Sequence, residues 1–181
     1  MRVAPRTSTG YIIGVSLTQF IREAIDSGLI YAGSGATEAE VASAEAELTV
    51  RFPDSYRDLL LQYGRVVIRD IEVIGLGPYP RMPNLPVTTV VESTQLLRNS
   101  LRETWPDCLL SIVEDGFGGC YCLKIPVHRS PDAPIVWFDH ELQNSTADEL
   151  LKDCATIAPS LNDWIRTLVR TGDPTPFPER S

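Results

Sequence analysis

The densest group of side chains able to do chemistry in this sequence is Asp139-His140-Glu141, with Asp115 and the thiols of Cys120 and Cys122 a short way upstream. If the strands carrying them pair side by side, carboxylate, imidazole and thiol come close together. Two chemistries are open to such a set: a metal centre held by carboxylate and imidazole, or a Cys/His nucleophile pair. Neither is complete. Nucleophilic catalysis needs a base, a group that orients it and an oxyanion site, and no pattern in this chain supplies all three. His128 and His140 are the only histidines, which excludes a multi-histidine centre. Trp137 and Phe138 end an apolar run, so Asp139, His140 and Glu141 also read as the polar turn after a strand. The expectation is a protein that is not an enzyme and carries no metal and no cofactor.

The other chemistry-bearing motifs point the same way. Cys108, Cys120, Cys122 and Cys154 lack the C-x-x-C spacing of redox and zinc-knuckle motifs, and a strand merely puts Cys120 and Cys122 on one face. Free buried thiols are expected. Gly116, Gly118 and Gly119 fit neither phosphate-binding pattern, because a strand and not a helix follows them. Asp115-Gly116 marks a hairpin turn instead.

Charge is the stronger functional signal. The net charge is −8, which argues against neutralising nucleic-acid phosphates directly. From Thr37 to Val50 there are four glutamates and no basic residue; from Asp139 to Asp153 five carboxylates face only Lys152. Those two segments hold the whole excess, since the remaining chain has 15 acidic and 15 basic residues. A surface of this kind attracts a basic protein partner and speeds encounter with it. The candidate contact residues are Glu38, Glu40, Glu45, Glu47, Asp139 and Glu141. Solvated helix faces are the plain alternative.

These residues must be positioned by a core, and the apolar spacing outlines one. Leu17, Phe20, Ile21, Ala24 and Ile25 predict a helix over 16–29, stopped by Gly28. Thr37-Glu38-Ala39-Glu40 has the form of a capping box, opening a helix to about Leu48 with Val41, Ala44 and Leu48 inward. Glu38 and Glu45 flank one side of that stripe, Glu40 and Glu47 the other. Pro53 starts the next helix and Gly64 closes it. Strands are expected at Val66 to Arg69, Ile71 to Leu76, Cys108 to Val113, Gly119 to Ile125 and Pro134 to Phe138. Between them, the four prolines of 77–86 predict an irregular surface loop suited to contacts. Thr88 to Arg102 reads as a helix. Ser145 to Asp148 opens another, and a final one runs through Leu161, Trp164, Ile165 and Leu168 to Gly172. Trp137 and Trp164 are expected in the core. Helices first, an antiparallel meander in the middle and a closing helix give an α+β class.

Three stretches, in order, resemble the SUKH superfamily, which includes the Smi/Knr cell-wall-synthesis regulators of yeast. They are Glu45 and Leu48 with Phe52-Pro53-Asp54-Ser55-Tyr56, Leu59-Leu60 and Gly64; Asp115-Gly116-Phe117-Gly118-Gly119-Cys120-Tyr121-Cys122-Leu123; and Pro134-Ile135-Val136-Trp137-Phe138-Asp139-His140-Glu141. The amphipathic run through Leu161, Trp164, Ile165 and Leu168 is similar to the family's last helix. Phe52 and Tyr63 depart from the family's usual Leu and Asn.

The resemblance implies a central, mostly antiparallel mixed sheet packed by N-terminal helices and a C-terminal helix. It runs over about Ala36 to Arg170 of one domain expected at 1–172, to which the helix of 16–29 and the proline loop of 77–86 look like additions; the three prolines of 173–181 predict a loose tail. The resemblance also implies an immunity protein of a bacterial polymorphic toxin system, which neutralises a cognate toxin, such as a basic nuclease or deaminase, by direct binding. The alternative from the same family is a regulatory or scaffold protein of the Smi/Knr type. The longest apolar stretch near the start is broken by Gly14 and Ser16, so neither a membrane helix nor a signal peptide is expected. The protein is therefore read as cytoplasmic.

Overall fold

The Ser16 hydroxyl accepts the Gln19 N–H at 3.2 Å and so opens the first helix, α1 (Leu17–Asp26), in a computed structural model that describes residues 16–80, 82–101, 104–139 and 146–174. Side-chain caps recur. The capping box of Thr37 and Glu40 starts α2 (Glu38–Leu48), and Thr146 with Glu149 starts α5 (Ala147–Asp153). Pro53 is the N-cap of α3 (Asp54–Tyr63), one place before the helical position expected for it. Gly64 and Gly172 end α3 and α6 (Leu161–Thr171) with positive φ, where a Cβ would be strained. The remaining helix, α4, spans Val90–Leu101.

Among the described residues the strands form two sheets in place of one mixed sheet, and every pairing is antiparallel. β1 (Ile30–Ala32), β2 (Val66–Ile68) and β3 (Ile71–Val73) pair in that order. β4 (Leu109–Glu114), β5 (Cys120–Lys124), β6 (Ile135–Phe138) and β7 (Ala155–Ala158) form the second sheet. The two meet where the Ile74 N–H donates to the Ile112 carbonyl at 2.7 Å. β1 and β7 were not anticipated from the sequence; both are short and depend on a neighbour that is distant in the chain.

Two apolar clusters explain the strand composition. Tyr121, Leu123 and Ile135 join Tyr56, Leu60, Trp164 and Leu168 in the larger cluster. Cys120, Cys122, Val136 and Phe138 turn the other way, toward Trp105, Leu150 and Cys154. The four-stranded sheet is thus buried on both faces, which is why β5 and β6 read as nearly unbroken apolar runs. Trp105 meets Phe138 edge-on, with ring centroids 5.0 Å apart. Trp137 packs against the larger cluster from a partly buried position.

Two polar devices lock the helices to this core. Asp132 accepts from the Ser55 hydroxyl at 2.7 Å and from the Leu161 and Asn162 amides at 3.1 and 3.2 Å, joining the starts of α3 and α6. The Tyr56 hydroxyl donates to the Ile74 carbonyl at 2.7 Å. Where the chain leaves β3, a Cβ at Gly75 would run into the Gly64 carbonyl oxygen, and the same oxygen accepts the Leu76 N–H at 2.9 Å. That close approach fixes the point from which the proline-rich segment departs.

Candidate functional site

The structure spends part of the acidic stripe on α2 internally. Glu45 is only 6% exposed. Its carboxylate accepts the Phe52 N–H at 2.8 Å and pairs with Arg57 at 3.1 Å and Arg51 at 3.7 Å. Glu38 is exposed but pairs with the same Arg57. Glu40 is occupied in its own capping box, and Glu47 accepts from the Gln95 amide at 2.9 Å. Glu45 is therefore corrected from a surface contact to a structural group. The reason is physical: a carboxylate beside the α2–α3 corner finds an amide and a guanidinium there. Asp139 is partly buried at the end of β6, on a different element from the α2 glutamates. Glu141 and His140 lie outside the described residues.

Cys120, Cys122 and Cys154 are buried, and Cys108 is partly exposed. The Cys120 and Cys122 sulfurs are 3.4 Å apart inside the smaller cluster. Burial pushes Cys122 well above the ordinary thiol range and Cys154 up to about 11. Asp115 is taken up by the hairpin, accepting from the Phe117 and Gly119 amides at 2.8 and 2.9 Å. Among the described residues, no three His, Cys, Asp or Glu are placed to hold a metal ion.

A groove of about 770 Å³ lies instead between β3, the proline-rich segment and the β4–β5 hairpin. Its floor and walls are mostly apolar and aromatic, with Ile71, Tyr79, Val113 and Tyr121 among them. Asp70, Glu72, Glu114 and Asp115 bring four carboxylates to it, and its described lining contains no lysine or arginine. Phe117, at the hairpin tip, is 87% exposed and Leu85, on the proline-rich segment, 46%.

The groove is held open from beneath. Arg65, 1% exposed, pairs with Glu72 and donates to the Gly77 carbonyl at 3.0 Å and the Thr88 carbonyl at 2.6 Å, the two ends of the proline-rich segment. Burial lowers the pKa of this guanidinium, yet its charge persists because arginine starts so high.

The family model of the SMI1/KNR4 family (SUKH-1) matches residues 35–167. The chain belongs to this family. No curated protein matches it. The SUKH-1 span takes in Arg65, β3, the proline-rich segment and the β4–β5 hairpin, so it holds the described groove lining except Pro174, while α1 lies outside. No described helix is long and apolar enough to cross a membrane.

In this SUKH-1 chain the groove offers a cationic, partly apolar side chain both carboxylates and aromatic faces. Asp70, Glu72 and Glu114 escaped sequence reasoning, which looked for runs of charge. Each lies on a different strand or turn, outside the two charge-rich segments. The one usable signal was Glu72, a lone carboxylate between Ile71 and Val73 in an otherwise apolar strand.

Proposed function

We propose that this SUKH-1 protein is an immunity-type binding protein, which neutralises a cognate bacterial toxin by direct contact and performs no reaction of its own. The observation that carries the reading is the groove, where the exposed carboxylates of Asp70 and Glu114 stand beside exposed aromatic surface with no basic residue in the described lining. A toxin that grips nucleic acid presents lysines and arginines on its working face. A carboxylate-lined groove attracts that face and competes with phosphate for it. The protected thiols and the hairpin role of Asp115 support a non-catalytic protein. On this reading the chain acts as one domain over 1–172, in the cytoplasm of the producing cell.

The test is co-expression with a toxin encoded beside the gene, scored by cell survival. The wild type should protect, and reversal of Asp70 and Glu114, both exposed, should abolish protection while leaving the melting temperature within a few degrees. Protection undiminished by the reversals would remove the groove from the interface. Absence of protection by the wild type against every neighbouring toxin would end the immunity reading.

A further inference from the structure

The groove lies where two sheets part, and the main chain on either side of it has a definite direction. In β2, the Arg65 carbonyl accepts the Gly33 N–H and the Arg69 N–H donates to the Leu29 carbonyl, so odd-numbered residues turn toward β1 and even-numbered ones toward β3. In the paired register, Val66 with Val73 and Ile68 with Ile71 are then the pairs that exchange hydrogen bonds. Glu72 alternates outward, as does Ile74, whose N–H crosses to Ile112. In β4 the Asp115 N–H reaches the Gly119 carbonyl, and so faces β5. The main chain of Glu114, one residue earlier, therefore faces away from β5. Past the Ile74–Ile112 join, β3 and β4 turn the N–H and C=O groups of Glu72 and Glu114 toward the groove between them. Among the described residues, neither has a main-chain partner across it.

We propose that this cleft accepts an extended segment of a protein partner as an added β-strand, with lysine or arginine on alternate residues. The proposal rests on the binding role above and names its mode of recognition. An open strand edge pairs with any extended chain through the main chain, and side chains at a spacing of two supply the selection. Here the selecting groups are the exposed carboxylates of Asp70 and Glu114, the latter also accepting from the Ser93 hydroxyl at 3.2 Å, with Tyr79, Tyr121 and Phe117 beside them; Glu72 is paired with Arg65 and Asp115 holds the hairpin amides. A chain bearing cations on one face and apolar residues on the other matches both sets. An acidic or wholly apolar strand matches only the main-chain groups.

The probe is a blocked synthetic pentapeptide of alternating arginine and valine, titrated into the isotope-labelled full-length protein to about 1 mM, the range of weak recognition. The Glu72 and Glu114 amide resonances should shift and their hydrogen exchange should slow. Methylating alternate peptide nitrogens should weaken binding about tenfold, roughly what one or two main-chain hydrogen bonds supply. Replacing each arginine by glutamate should abolish it. The proposal is overturned if the methylated peptide binds as well as its parent, if the shifts map to α2, or if the two glutamate amides do not respond. A protein that protects against its toxin yet fails this titration loses only the strand-pairing mode. One that passes the titration and protects against nothing loses only the immunity reading.

Discussion

The Glu45 carboxylate accepts the amide hydrogen of Phe52 at 2.8 Å, across the corner where α2 has ended and α3 has not begun. Its second oxygen takes Arg57 at 3.1 Å, so a single side chain ties the two helices together. Glu45→Ala leaves an amide and a guanidinium without their acceptor and should cost about 2–3 kcal/mol. Glu38→Ala and Glu47→Ala, at exposed positions, should stay within about 0.5 kcal/mol. Urea denaturation separates the two cases, and a Glu45→Ala variant as stable as the wild type would show that the corner holds without this link.

Arg65 does comparable work beneath the groove. Arg65→Met removes the donor to Gly77, Thr88 and Glu72 at once and should cost about 2–3 kcal/mol. Amide exchange over 77–88 should accelerate more than elsewhere, because these main-chain acceptors lie at the two ends of the segment. Arg65→Lys keeps the charge but not the fork, and should fall between wild type and Met. Uniform acceleration across the chain would mean that Arg65 stabilises the fold without mooring the loop.

Three threonine–glutamate boxes predict the acid limb of stability. The amides of Thr37, Thr89 and Thr146, and then their hydroxyls, hold the carboxyls of Glu40, Glu92 and Glu149 below the ordinary carboxylate range. In the unfolded chain these groups titrate near about 4.3. Their contribution is complete above that value and is lost as pH falls through the lower folded pKa. A triple Glu→Gln variant should therefore melt below the wild type at pH 7, and the gap should close in acid. A gap independent of pH would assign the boxes no ionic character.

The cysteines predict slow chemistry. Thiol reagents attack the thiolate, and burial pushes Cys154 up to about 11, with Cys122 well above the ordinary range. At pH 8 native Cys154 should label about a hundredfold more slowly than a free thiol, while partly buried Cys108 reacts first. Denaturant should release all four cysteines. Rapid labelling of native Cys154, read by peptide mass spectrometry, would contradict the burial account.

Where a local device sets the structure, it was legible in the residues. Thr37-x-x-Glu40 opens α2, Gly64 and Gly172 close their helices, and Asp115-Gly116 turns the hairpin. β1 and β7 were hidden because three or four residues with little apolar pattern take their shape from Val67 and Trp137 across the ladder. The helical period correctly put Glu38 and Glu45 on one flank of α2. Their shared partner, Arg57, belongs to another helix, and no count of charges along the chain could pair them. Asp70, Glu72 and Glu114 were missed for the same reason, since Asp70 and Glu114 come to one groove only once the two sheets join.

The proline-rich segment is moored through the carbonyl oxygens of Gly77 and Thr88, atoms that every amino acid possesses. The residues between those two points can be exchanged without casting off either end. The rim of the groove can thus differ in side chains while the Arg65 anchor beneath it stays as it is.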